Sequence, residues 1–372
     1  MKVTVKTVNK RIINFGKFET ASVLINALIV KVLLGLPQLL CKQAGNAAWM
    51  IALISGMVFL ALVLVIMRLY KRFPNRNIIS IAEEAGGAAL KWFVAVLIIL
   101  PLIFKGAITL RLSAETINLI TPYRIPSFLT AVLVGIAIIA VAYKGTEGAV
   151  RLHAIFVPLI VTALALVIIA SCASFKLTNI FPVWGLGKKE VIKTSLYAIL
   201  MYSDIIYILL LYPYVKSEKV FRRAVGWGTV LAVIIQLAIM LGYVLTTQYP
   251  GSGELFMPVY QVSRIIRLGD NSQSIEAIFY PVWISSSLLY LTLTQTFVVE
   301  ILGQASKTKY EKLFIVPTLA VMFVIAYMPK SVTQAMQISQ KASPILFICT
   351  VALPILVMIF AYIKNRRASY ET

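Results

Sequence analysis

Residues 29–37 read IVKVLLGLP, in the middle and outer part of the first long apolar segment. This places Lys31 at hydrocarbon depth and follows it with Gly35 and Pro37. Glycine loosens a helix through backbone freedom, and proline through its missing N–H. Within a bilayer, irregular backbone persists only where protein or a water-filled cavity satisfies its polar groups. The stretch is therefore either a charged helix that opens at a binding site or a helix that simply ends near Gly35 and Pro37.

Composition supplies the setting. The chain has 372 residues, 60% hydrophobic and 13% charged, with a mean hydropathy of +0.90. A soluble domain would be about 45–50% apolar and about 25% charged. This is an all-α, multi-pass membrane protein, read as one transmembrane domain over residues 1–372. The formal charge of +21 sits in short loops between apolar spans, so membrane topology explains it and a nucleic-acid partner is not expected. Cys41, Cys172, Cys349 and the single histidine, His153, form no metal-ligand spacing, and no cofactor is expected. Phosphate loops, HExxH and Gly-x-Ser-x-Gly are all missing, which argues against an enzyme.

A span needs about 20 mostly apolar residues. Segments of this kind occur at 19–41, 46–68, 88–118, 126–143, 151–173, 194–214, 225–247, 277–303, 313–329 and 343–363. The third exceeds what a bilayer requires and should tilt or project. A polar connection covers 174–193, and a longer one, 246–276, has room for a short helix at 259–268. Lys2, Lys6, Lys10, Arg11 and Lys17 precede the first span, which reads as a retained helix with a basic cytoplasmic flank. Loops on that side carry about twice the Lys and Arg of the opposite side, predicting that both termini are cytoplasmic.

Ten spans divide into two five-helix repeats, 19–173 and 194–363. Because five is odd, the second repeat is inverted. Such repeats place a substrate site at mid-membrane, between discontinuous first helices of the two halves. Span six, SLYAILMYSDIIYILLLYP, holds Tyr202, Ser203 and Asp204 at its centre and Pro213 near its end. Spans one and six are accordingly expected to be discontinuous.

Several segments carry a family resemblance. INFGKFETASVLINALIVKVLLGLPQLLCKQAGNAAWMIALISG, residues 13–56, ends its apolar helix in a Gly-x-Pro element followed by Ala44, Gly45, Ala48 and Trp49. RLYKRFPNRNIISIAEE, residues 68–84, and FMPVYQVSRIIRLGD, residues 256–270, continue the pattern. Together these resemble the spore germination receptor B subunits, the GerAB-type permease family, within the amino acid–polyamine–cation superfamily. The resemblance implies the ten-helix inverted fold and a nutrient receptor in the inner membrane of a bacterial spore. It also implies partners, a larger A-type subunit and a lipoprotein C-type subunit, and small germinants, commonly amino acids. Lys31–Val32 departs from the small polar pair that often precedes the glycine in that family.

Asp204 is the strongest single site residue, because an acid at the centre of an apolar span faces a cavity or a partner. It would bind a ligand ammonium, a cation or a proton, or else pair internally with Lys31 or Lys105. The ligand-binding set comprises Val32, Leu33, Leu34, Gly35, Met201, Tyr202, Ser203, Asp204, Lys105 and Tyr290. Lys31, Ser286 and Thr292 are ion or counter-ion positions, with Lys31 a partner of Asp204 or a stand-in for a coupling cation. Hydroxyls along span eight can coordinate a cation or stitch helices together. Arg111 and Glu115, spaced i, i+4, should pair. His153 is expected at the interface, Glu300 in reach of water, and Asn26 as an interhelical hydrogen-bonder.

Two functions fit these residues. The first is a receptor subunit that binds a germinant between spans one, three, six and eight, with broken helix ends meeting a carboxylate and Asp204 an ammonium. The second is an ion-coupled secondary transporter of amino acids or amines.

Overall fold

In hydrocarbon, a chain satisfies its backbone groups by forming helices. A computed structural model describes residues 14–74, 76–121, 125–265 and 276–368, and in it the apolar runs fold as ten spans. Span one is α1a, Lys17–Leu34, and α1b, Leu36–Ala44. Then come α2, Ala48–Tyr70, α3, Ile78–Ile120, α4, Ser127–Ala142, and α5, Gly145–Ser171. Span six is α6a, Lys188–Leu200, and α6b, Ile206–Leu211. It leads to α7, Glu218–Thr246, a short helix at Pro258–Ile265, and α8, Glu276–Ser306. The chain closes with α9, Ile315–Tyr327, α10a, Val332–Phe347, and α10b, Leu353–Ala368.

Among the described residues, seven helical stretches are long and apolar enough to cross a membrane by themselves. The remaining spans have local reasons to fall short. The α1a helix carries Lys17, Glu19 and Lys31, while α4 and α9 are brief. Lys2, Lys6, Lys10, Arg11, Asn75 and residues 266–270, which include the end of the expected outer helix, lie outside the described residues.

Helix starts differ most from expectation. The α3 helix begins at Ile78, where Asn77 caps it by accepting from the Ser80 N–H, and it unwinds at Gly86 and Gly87. The α7 helix begins at Glu218 behind a Ser217 cap, and α10a begins at Val332 behind a Ser331 cap. A capping oxygen and charged or polar first turns extend a helix beyond its apolar stretch, so hydropathy alone places these starts too late.

Both breaks have identifiable causes. Gly35 has φ +130°, a conformation that side chains rarely adopt, and its N–H still reaches the Lys31 carbonyl. Pro37 then sits in the first turn of α1b, where a missing N–H costs no helical bond. In span six, Met201, Tyr202 and Ile205 donate three residues back, to Ala198, Ile199 and Tyr202. The tightened turn at Ser203–Ile205 takes the Met201 carbonyl out of the α ladder.

The α1a helix packs against α5, α7 and α8, and α8 packs against α3 and α5, so spans one and eight form the centre. Asn26 and Ser286 clamp these two. The Asn26 Nδ2 donates to the Ser286 carbonyl at 3.0 Å, and the Ser286 Oγ donates to the Asn26 Oδ1 at 2.8 Å. Replacing Asn26 with alanine orphans buried groups on α8, and should cost about 1–3 kcal/mol of stability, read by chemical denaturation in micelles. Outward, α4, α5 and α9 expose Leu133, Ile136, Leu159, Ile169 and Val324, an apolar coat suited to acyl chains.

At the face where α1a begins, Phe15 bridges to Val215. Its N–H donates to the Tyr214 carbonyl at 2.8 Å, and the Lys216 N–H donates to the Phe15 carbonyl at 3.1 Å. The entrance of span one is thereby stapled to the exit of span six.

Two side chains depart from expectation. Glu300 is buried rather than in water, because α5 and the α6–α7 connection fold over it. It accepts from Thr146 at 2.6 Å, from Gln304 at 2.8 Å and from the Tyr214 hydroxyl. His153 is fully buried, its Nδ1 2.8 Å from the Ala149 carbonyl. The α5 helix starts at Gly145, ahead of the apolar run, so His153 lies two turns inside it. Arg111 and Glu115 pair at 2.9 Å.

Candidate functional site

Lys31 occupies the last turn of α1a, four residues before the Gly35 break. Asp204 lies in the tight turn that interrupts span six. Folding brings the two breaks together, and Lys31 forms an ion pair with the Asp204 carboxylate and donates to the Met201 carbonyl. The ammonium thus satisfies a backbone acceptor that the broken helix leaves without a partner.

Lys105, midway along α3, donates to the same carboxylate at 2.5 Å. The Tyr290 hydroxyl of α8 donates to it at 3.0 Å. Asp204, wholly buried, is therefore engaged from three other spans, accepting from Lys105 and Tyr290 and pairing with the Lys31 charge, and both internal pairings open from the sequence are made at once. Buried charges at this depth persist only when paired and hydrogen-bonded. Lys31 keeps 23% of its side chain exposed and Lys105 9%, both toward a cavity of ≈ 130 Å³.

That cavity lies between the break of span one, α3, α6a, α8 and α10a. Of the expected site residues, Lys31, Leu34, Gly35, Met201, Ser203, Lys105 and Tyr290 line it. Asp204 stands behind the two lysines. Val32 and Leu33 are fully buried and pack into an apolar cluster with Leu40 and Ile51. Tyr202 turns toward α2 and α7, stacking on Phe59 with centroids 4.4 Å apart and donating to Gln236 at 3.2 Å. Ser286 belongs to the Asn26 clamp, and Thr292 donates to its own helix at Leu289, 2.9 Å away. These two are not brought to Lys31.

The wall formed by α10a, with Met336, Ser339, Gln340 and Ser343, was missed by sequence reasoning. Its signal was present in QAMQISQKAS, residues 334–343, whose serines and glutamines recur at helical spacing just before an apolar run. The Tyr197 hydroxyl of α6a donates to the Gln340 carbonyl at 2.5 Å, joining that wall to span six.

The same architecture occurs in solved structures. One is a Na+-coupled sialic acid symporter in a substrate-bound outward-open state, with TM-score 0.64 and 12% identity, covering 91% of this chain and 79% of that one. Another is Mhp1, a nucleobase-cation-symport-1 family transporter in a closed conformation with bromovinylhydantoin bound. It has TM-score 0.67 and 14% identity, covering 91% of this chain and 78% of that one. The fold is thus the ten-helix, 5+5 inverted-repeat fold of such transporters, with spans one and six broken. Spore germination protein YndE of Bacillus subtilis (strain 168) is 22% identical over 367 residues, covering 94% of this chain and 98% of that protein. Spore germination protein XB of Bacillus anthracis is 22% identical over 322 residues, covering 86% and 88%. The family similarity points to a permease-like membrane protein and not to an enzyme. The family model described as "Spore germination protein" matches residues 15–335, and the chain belongs to that spore permease family.

Proposed function

We propose that this protein is the membrane subunit of a nutrient germinant receptor, binding a small germinant such as an amino acid in the cavity between the breaks of spans one and six. The observation that carries this reading is the Lys31–Asp204–Lys105 cluster, which joins both breaks beside a ≈ 130 Å³ cavity. Asp204 positions the lysines, and Lys31, Lys105, Gly35, Ser203 and Tyr290 face the germinant. A- and C-type receptor subunits would receive the signal in the spore inner membrane, with both termini cytoplasmic. Repeats 19–173 and 194–363 would supply the moving parts, one bundle rocking against the other as the germinant binds the two states unequally.

A cavity-filling substitution tests this without touching the charges. Ser339→Phe on α10a should reduce germinant sensitivity of spores at least tenfold while the protein accumulates normally in the membrane. An unchanged dose response would reject the site.

The likeness to cation symporters favours a second reading, ion-coupled transport of amino acids or amines. Concentrative uptake of a labelled amino acid by the reconstituted chain alone, abolished by collapsing an ion gradient, would support it. Absence of uptake, together with a requirement for the two partner subunits, would support the receptor.

A further inference from the structure

The cluster at the breaks holds two ammonium groups and one carboxylate, a formal excess of one positive charge at hydrocarbon depth. Its hydrogen bonds are equally unbalanced. An ammonium has three N–H donors. Lys31 spends one on the Met201 carbonyl while its charge pairs with Asp204, and Lys105 spends one on Asp204. This leaves two N–H groups on Lys31 and two on Lys105 without a hydrogen-bonded protein acceptor among the described residues. Asp204 is already engaged by Lys31, Lys105 and Tyr290, and no aspartate or glutamate lines the cavity among the described residues. A ligand amine would find the carboxylate buried behind the two lysines and the Met201 carbonyl taken by Lys31.

The shape narrows the ligand further. Leu34, Leu36, Leu39, Ile108, Leu112 and Met336 give the cavity an apolar floor. An apolar cavity of about 150 Å³ takes benzene, so ≈ 130 Å³ suits a ligand of about six or seven heavy atoms.

We propose that this cavity takes a small carboxylate anion with an apolar body, its oxygens held by the spare N–H groups of Lys31 and Lys105. The ligand needs no ammonium group of its own, because Lys31 supplies one from within the chain. The assignment rests on the reading of this cavity as a ligand site and names the chemistry that the site selects.

The test uses the purified full chain in lipid nanodiscs, with thermal unfolding followed against four probes: 3-methylbutanoate, 3-methylbutanamide, 3-methylbutylamine and L-leucine. The butanoate should raise the unfolding midpoint saturably, at concentrations at least tenfold below those the amide requires, and the amine should have no effect. Lys105→Met removes the excess charge and should shrink the butanoate–amide difference below threefold. Lys31→Met provides the same readout should the first variant fail to accumulate. An amine or amide that matches the butanoate, a response to leucine alone, or selectivity that survives both substitutions would overturn the anion assignment. If the effective probe also loses its effect in Ser339→Phe, the cavity remains the ligand site. If no probe moves the midpoint, the anion assignment and the site reading fall together.

Discussion

Asp204→Asn is expected to destabilise the folded protein by about 3–5 kcal/mol, because it strands two ammonium groups in a buried site. In the native protein one carboxylate receives Lys31, Lys105 and Tyr290. Asparagine keeps the shape but not the charge, and turns an NH2 donor toward one of the two ammonium groups. Removing one partner of a buried ionic group is costly, whereas exchanging the whole group for apolar residues is often near neutral. Adding Lys31→Met and Lys105→Met to Asp204→Asn should therefore recover most of the loss. Denaturation of purified protein in micelles, with membrane levels as a second readout, measures both effects. A single variant as stable as the parent, or a triple variant no better than the single, would show that charge balance does not hold the breaks together.

The second large effect concerns Gly185, in the connection between α5 and α6a. Its φ is +51°, and a Cβ built there would stand 1.9 Å from the Ala44 carbonyl oxygen and 2.9 Å from the Ala47 nitrogen. Both neighbours are backbone, one at the end of α1b and one in the turn that follows it, so neither can swing aside. At Gly35, with φ +130°, a Cβ would meet, among the described residues, the Met336 methyl at 3.0 Å, the flexible end of a side chain. Alanine at Gly35 should cost about 1–3 kcal/mol of backbone strain. Alanine at Gly185 carries comparable strain and also forces two chain segments apart, breaking the Leu186 N–H bond to the Ala44 carbonyl. It should be the more damaging by about 1–3 kcal/mol, the usual range for overpacking. Parallel unfolding curves for the two alanine variants decide this, and equal midpoints would count against it.

Most of the fold was legible because a bilayer demands long apolar helices and admits few charges. Gly35, Pro37 and the YSD of span six marked the two breaks through backbone chemistry alone. Lys31, Lys105 and Asp204 stood out as charges without water, and they do converge. The facing of individual residues was not legible. Val32 and Leu33 neighbour Lys31 in the chain yet turn into the packed interior, and Tyr202 neighbours Ser203 yet stacks on Phe59. At a helix break the usual periodicity lapses, so sequence spacing no longer tells which side a residue faces. The wall at α10a escaped for the opposite reason: its polar residues resemble a loop until they are seen to face a cavity. Glu300 and His153 show the same limit, since burial by distant segments leaves no local mark.

The pairing of Phe15 with Tyr214 and Val215 has a mechanical consequence. It gives the first and sixth spans a common fulcrum at one membrane face, with the cavity at the free end of the lever. The α1a helix has 18 residues, an arm of about 27 Å at about 1.5 Å per residue. A tilt of about 5° at that fulcrum carries Gly35 through about 2 Å. That travel parts the lysine of one arm from the carbonyl of the other, so a small rotation at the base becomes the making or breaking of a bond at the tip.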